Sequence, residues 1–380
     1  MSQEQVTLKE VKTRKERRIF VDFPNQLYQN SSYFVPAFFG DDMADWNPKK
    51  NPAFEYCEAR MWLAYQGGKV VGRIGAILSH RSNEKWHTRR MRFSQVDFID
   101  DPAVSDALFA AVENWAREKG MEEVHGPLGF CDLDREGMLV EGFDRRSMFI
   151  TYYNHPYYLE HMARLGYVKD ADWLEYFIPV PPADDPKALR IKRIGEHVLK
   201  RGHFHEVKVT NRLAYKPWIK QAFELVNEAY GPLYGTVDLG PKQIDKYATK
   251  FIPLIEPDLC CLIADQDNRL VAFGVCGLSM AEAMRKCRGH LFPTGWVQVL
   301  KSLRHNDAMD MFLIAVKPSL QGTGLNGAVM SYLWQGAMRR GIKIAETGPM
   351  LEMNEKVLAQ WKTLDLTQHK RRRCFVKKLS

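Results

Sequence analysis

Residues 311–341 constrain this chain more than any others. They read Met311-Phe-Leu-Ile-Ala-Val-Lys-Pro-Ser-Leu-Gln-Gly-Thr-Gly-Leu-Asn326, then Gly327-Ala-Val-Met-Ser-Tyr-Leu-Trp-Gln-Gly-Ala-Met-Arg-Arg-Gly341. An apolar run stops at Pro318, a glycine-bearing turn follows at Gln321–Gly324, and a long stretch with helical spacing comes next. Strand, glycine turn and helix start make a phosphate cradle: glycines let successive N–H groups converge, and the helix adds the positive end of its dipole. The open question is which phosphate ligand it takes, and for what chemistry.

A length of 380 residues allows two domains or one large one. Apolar residues at 45% and charged residues at 26% are ordinary for a globular protein and exclude disorder. The seven cysteines are odd in number and form no CxxC, which argues against a disulfide framework and a zinc site. Eleven histidines show no ligand spacing, so no metal is expected. The start, Met1-Ser-Gln-Glu-Gln-Val, has no apolar signal core, and no run approaches the roughly 18 apolar residues of a spanning helix. A cytoplasmic protein, peripheral to a membrane at most, is expected. The net charge of +8 suits an acidic partner such as CoA phosphates, anionic lipid heads or nucleic acid, and charge alone does not choose among them. Most modestly basic proteins bind no nucleic acid, and none is expected.

Along the chain, 5–12 reads as a strand and 14–28 as a helix with Pro24 marking a break or kink. Residues 29–55 read as irregular and aromatic. A hairpin follows, 60–65 and 70–78 about the turn Gln66-Gly67-Gly68-Lys69. Then come a strand at 91–98, an amphipathic helix at 102–119 ending at Gly120, and a short strand before Gly126-Pro127. Residues 129–154 are polar. A helix at 156–165 and a strand pair over 167–180 lead to Pro181-Pro182, the best linker signal. Beyond it lie a basic helix at 185–201, a strand at 205–209, helices near 216–230 and 241–251, and a second hairpin at 259–265 and 270–278.

The two hairpins can be laid over each other: Ala64 on Ala264, Gln66 on Gln266, Val71 on Val271, Ser79 on Ser279. Later landmarks repeat in the same order at a longer spacing, Gly126-Pro127 against Gly348-Pro349 and Asn154 with its helix against Asn354 with its helix. Shared order reads as a tandem repeat of one α/β unit, the second copy carrying an insertion near 280–308. That insertion mixes Arg and Lys with Leu291, Phe292, Trp296, Val297, Leu300 and Leu303, a composition that can lie on a membrane or cover an apolar tunnel.

The second unit resembles the GNAT superfamily of acyl-CoA N-acyltransferases. The resemblance rests on the strand ending at Val316-Lys-Pro318, the turn Gln321-Gly322-Thr323-Gly324, the helix after it, the strand Ile344-Ala-Glu-Thr347 and the stretch Leu351-Glu352-Met-Asn354. Asn326 departs from the family's last Gly/Ala position, with Gly327 beside it. The resemblance implies an α/β fold with a mixed (α+β) sheet in two tandem GNAT-like domains: 1–182, degenerate and shaping the acceptor pocket, and 183–380, binding acyl-CoA or acetyl-CoA as co-substrate. It implies that Leu313, Ile314, Ala315 and Val316 hold the pantetheine, and that Gln321, Gly322, Thr323, Gly324, Leu325, Asn326 and Gly327 hold the pyrophosphate. Where the first unit should carry the same loop stand Asp100 and Asp101, which repel phosphate.

N-acyl transfer needs a base for the amine. By the resemblance, Glu346 is the first candidate, Glu352 the second, and Asn354 a residue that bonds pantetheine or water, with helix N-capping as its plainer role. The family's proton-donating Tyr is replaced near that position by Trp361. Asp132, Glu136, Glu141 and Tyr153 of the first unit are candidates for the acceptor side. The expectation is an N-acyltransferase acting on a primary amine. The tandem form and the Leu291–Trp296 segment are similar to bacterial ceramide-synthase-like members of the superfamily, which implies a lipid-like amine, a long-chain donor and peripheral membrane contact through 280–305. An acetyltransferase of a small amine or amino acid, and a non-catalytic acyl-CoA-binding protein, are the alternatives.

Overall fold

A computed structural model of the chain describes residues 5–209, 211–354, 358, 361 and 364–379. Its strands are β1 (Thr7–Glu10), β2 (Cys57–Gln66), β3 (Lys69–Ser79), β4 (Arg90–Phe98), β5 (Glu123–Gly126), β6 (Met138–Glu141), β7 (Val168–Pro179), β8 (His205–Glu206), β9 (Cys260–Ala264), β10 (Leu270–Leu278), β11 (Ala308–Val316), β12 (Ile344–Thr347), β13 (Met350–Leu351) and β14 (Thr367–Lys378). Its helices are α1 (Arg14–Leu27), α2 (Phe39–Asp45), α3 (His80–Trp86), α4 (Pro102–Glu118), α5 (Tyr158–Arg164), α6 (Pro186–Gly202), α7 (Lys216–Tyr230), α8 (Pro241–Phe251), α9 (Ala281–Cys287), α10 (Gly295–Ser302) and α11 (Leu325–Arg339). The helix expected after Asn354 falls largely on residues outside those described.

Internal contacts divide the chain into two units. The first holds Met1–Trp173, Met280–Leu300 and Lys370–Ser380, and the second holds Leu174–Ser279 and Lys301–His369. The insertion and the last residues of the chain therefore belong with the first unit.

The first unit's sheet runs β1-β2-β3-β4-β5 and then the end of β14, antiparallel except for the parallel pair β4–β5. Helix α4 buries Val104, Leu108, Val112 and Trp115 at i, i+4, i+8 and i+11, a stripe that packs on Trp62, Ile74, Phe93 and Val124. The second unit repeats the plan. Its order is β7-β12-β11-β10-β9-β8, with β11–β12 as the parallel pair. Helix α11 buries Leu325, Val329, Leu333 and Ala337 on Met309, Met311 and Ala345. In each unit the chain leaves a hairpin, forms one long strand, crosses over by a helix, and returns beside that strand.

Three local expectations are corrected. Helix α1 does not break at Pro24. A proline inside a helix orphans the carbonyl four residues back. Here that carbonyl, of Phe20, accepts a 2.7 Å hydrogen bond from Arg73 Nη1, so the lost bond is replaced from β3. The stretch 167–180 is one strand, Val168–Pro179, and not a pair: Asp170 and Asp172 stay within the extended chain. The irregular stretch 29–55 contains a short helix, α2, whose first turn carries Asp41 and Asp42 near the positive dipole end.

Candidate functional site

The turn before α11 is held by its own side chains. Thr323 Oγ1 donates to the Leu320 carbonyl at 2.7 Å, and Gln321 Nε2 donates to the Val316 carbonyl at 3.3 Å. Gly322 and Gly324 take φ of 80° and 97°, the left-handed region that glycine enters without a Cβ clash. Gly324 is the N-cap of α11 and offers no side-chain oxygen to the helix. Among the described residues, none accepts a hydrogen bond from the N–H of Gly322, Gly324 or Leu325. The cradle therefore presents donors and a helix dipole to an anion. Gln321, Gly322 and Thr323 are exposed, Gly324, Asn326 and Gly327 half-buried, and Leu325 buried in the core. A Cβ on Gly324 would meet Val198 Cγ2 at 3.0 Å and Ile194 Cγ2 at 3.3 Å, so α6 walls one side. An apolar recess of about 160 Å³ lies there, lined by Ile191, Ile194, Met330, Trp361 and Leu364 with the loop. Trp361 is buried, its Nε1 3.1 Å from Met350 Sδ.

The strand leading to the cradle has a one-sided edge. Strand β11 pairs with β12 only from Ala308 to Met311, and the Gly348 N–H closes on the Met311 carbonyl at 2.9 Å. On its other side the ladder with β10 shifts register between Met311 and Leu313, a bulge at Phe312. From Leu313 to Val316, among the described residues, β11 is paired on the β10 side alone. The Tyr230 hydroxyl donates to the Ile314 carbonyl at 2.9 Å. That puts a phenol at the strand edge, a residue the sequence pattern did not single out.

Glu346 stands one residue before the β11–β12 ladder ends, opposite Asp310 on one side and Phe177 on the other. Strand alternation gives it the face opposite α11, since its neighbour Ala345 is in the α11 core. On that face Glu346 Oε1 lies 3.4 Å from His369 Nε2, the His369 ring stacks on Phe177 with centroids 3.7 Å apart, and Glu175 comes close enough for three ligand atoms to lie within 4.8 Å of one another. Glu175 is fully buried, while the Glu346 side chain keeps 14% exposure. The set has one acidic group reachable from solvent and two buried polar groups behind it. Its chemistry, two carboxylates and an imidazole, is also that of a cation site. Glu352 and Asn354 fall just after β13, both half-buried. The Asn354 N–H donates to the Leu351 carbonyl at 2.9 Å, and its carbonyl accepts from the Leu358 N–H at 3.1 Å.

The first unit has the same elements with different contents. The head of α4 is capped by Asp101, whose Oδ1 accepts from the Ala103 N–H at 2.8 Å while Oδ2 accepts from Gln66 Nε2 at 3.2 Å. Asp100 Oδ1 lies 2.9 Å from His161 Nε2. The third pair of the β4–β5 ladder is Arg92 with His125, where the third pair of β11–β12 is Asp310 with Glu346. Burial pushes the His125 imidazole down to about 4, against the opposing pull of Asp170. Of the acceptor-side candidates, Tyr153 lines a recess with Tyr152, Asp42, Arg73, Asp97 and Arg135. In that recess Arg73 Nε donates to Asp97 at 2.7 Å. Glu136 is instead half-buried, and its carboxyl is raised well above the ordinary range by desolvation and by Asp132. Glu141 lies 3.2 Å from Arg371 Nε.

With this geometry in hand, relatives can be compared. No family model matches the chain. It is 26% identical over 373 residues to Protein YghO of Escherichia coli (strain K12), covering 96% of this chain and 94% of that protein. It is 26% identical over 379 residues to the bacterial ceramide synthase of Caulobacter vibrioides, covering 97% and 96%. Among solved structures it is similar to a tandem GNAT protein from the clavulanic acid biosynthesis pathway, with a TM-score of 0.56, 12% identity and 98% of each chain covered. It is also similar to a GCN5-related N-acetyltransferase from Sphaerobacter thermophilus, with a TM-score of 0.51, 11% identity, and 98% and 95% covered. The fold is a tandem GNAT fold, mixed α/β, over the whole chain.

Proposed function

We propose that this chain is an acyl-CoA-dependent N-acyltransferase with one working cofactor site, in the second unit, and that it acylates a lipid-like primary amine from a long-chain donor. The observation that carries the reading is the bare glycine turn at the head of α11, set at the end of a strand with one unpaired edge. Main-chain groups of Leu313–Val316 would hold the pantetheine, and the turn from Gln321 to Gly327 the pyrophosphate. Glu346 is the base. The amine nitrogen attacks the thioester carbonyl, its proton goes to the Glu346 carboxylate, and the carbon–sulfur bond breaks as the amide forms. The Tyr230 hydroxyl is placed to give the departing thiolate a proton, the task Trp361 cannot perform. His369 orients Glu346 and Glu175 backs it.

The ceramide synthase name of one relative supports a long-chain amino base as acceptor. The test is free-thiol release by the purified full chain given acetyl-CoA or palmitoyl-CoA with a panel of amines. Release fastest with palmitoyl-CoA and a long-chain amino base is expected. Release only from acetyl-CoA with a small amine or amino acid would make it an acetyltransferase of small amines. Binding of CoA without release from any pair would make it a non-catalytic acyl-CoA-binding protein.

A further inference from the structure

The loop of the insertion is tied to the first unit by hydrogen bonds and a stacked ring. Asn25 Nδ2 donates to the Arg288 carbonyl at 3.1 Å, and the Phe39 N–H donates to the Gly289 carbonyl at 2.9 Å. The His290 ring stacks on Phe39 with centroids 4.3 Å apart, and its Nε2 lies 3.0 Å from Asp22 Oδ1. A Cβ at Gly289 would fall 2.2 Å from the Ala37 carbonyl oxygen, so only glycine permits this approach. The residues that follow are thereby held outward.

Phe292 is 82% exposed, Trp296 47%, Val297 46% and Leu300 46%. Phe292, Trp296 and Leu300 recur every four residues, with Val297 beside them, while Val299 of the same helix is buried. This is one apolar stripe along the outer side of α10 and the turn before it. Four of the ten large apolar side chains that are exposed among the described residues fall within it. The stretch 282–304 around it carries Arg285, Lys286, Arg288, Lys301 and Arg304 against one acid, Glu282, which pairs with Arg285 and Lys286. A stripe cut for another protein would be expected to carry charges of both signs at its rim. A tryptophan and a phenylalanine with a surplus of cations match a bilayer interface with anionic heads.

We infer that Phe292, Trp296, Val297 and Leu300 insert into the surface of an anionic lipid bilayer, with Arg288, Lys301 and Arg304 meeting its headgroups. The inference rests on the reading above that the acceptor is lipid-like. It supplies what that reading lacks, a way to reach a substrate that does not leave the membrane.

Flotation of the full chain with vesicles of phosphatidylcholine containing about a quarter phosphatidylglycerol tests it. The wild type floats with these vesicles, less with phosphatidylcholine alone, and less at high salt. The double variant Phe292→Asp, Trp296→Asp loses bound protein about tenfold or more, with its melting temperature and CoA affinity unchanged. Absence of flotation by the wild type, or equal flotation by the variant, would overturn the inference. So would light scattering that shows a dimer of the wild type which the same variant dissociates, since the stripe would then be a subunit contact. Failure of CoA binding or thiol release strikes the enzyme reading alone, because flotation is read without either.

Discussion

The β4–α4 and β11–α11 junctions share strand, turn and helix, and differ in whether the helix start is filled from within. At the head of α4, Asp101 accepts from the Ala103 N–H and Asp100 adds a second carboxylate beside His161. At the head of α11, Gly324 offers no oxygen and the N–H groups of Gly322, Gly324 and Leu325 find no acceptor among the described residues. A helix start capped by a carboxylate has its donors occupied from within, and one left open keeps them for an anion. The inner strands show the same split. His125 sits buried with Asp170 and Cys374, whereas Glu346 sits at a ladder's end with Glu175 and His369 behind it. One copy of the repeat has been filled in, and the other kept its openings.

The largest effect should come from the inner-strand half of the comparison. Glu346→Gln should lower the rate of thiol release ~10²- to 10⁴-fold, the usual loss of a general base, with CoA affinity unchanged. His125→Gln should leave that rate unchanged and alter acid stability instead. The folded imidazole at about 4 lies below its ordinary 6.5, so the unfolded chain binds more protons between those values. His125 therefore makes stability fall as pH drops from 6.5 towards 4, by up to about 3 kcal/mol. Melting curves across that window should be flatter in the variant, and an unchanged slope would show that His125 is not a buried neutral ring. Tyr230→Phe should slow thiol release about tenfold, less than the Glu346 change, because a thiolate leaves without full protonation. An unchanged rate would return the hydroxyl to a purely structural role at Ile314. Asp101→Ala should cost ~1 kcal/mol of stability as a lost cap, measured by thermal melting, and should not touch CoA binding.

The elements built from local pattern were legible in the sequence. Both hairpins, the stripe of α4 and the glycine turn before α11 depend on residues a few positions apart, and period and turn chemistry report them. Of the candidate site, the loop and Glu346 could be proposed from the sequence. His369 and Glu175 reach Glu346 because β12 lies beside β7, and no spacing in the chain announces that neighbour. Alternation within Thr367–Lys378 could have put His369 on a face, but not beside Phe177. Pro24 misled for a similar reason, since the donor that relieves the Phe20 carbonyl comes from Arg73, far along the chain. Tyr230 ends a helix whose stripe explains its place, so nothing marked its hydroxyl until Ile314 was found beneath it.

The stoichiometry of CoA binding tests the central claim most directly. Titration of the full chain in a calorimeter should give one site per chain. That site should vanish in Gly324→Val, where a side chain enters a left-handed position already hemmed by Val198 and Ile194. It should persist when Asp100 and Asp101 are both replaced by Ala. Two sites in the wild type, or undiminished affinity in Gly324→Val, would contradict the account.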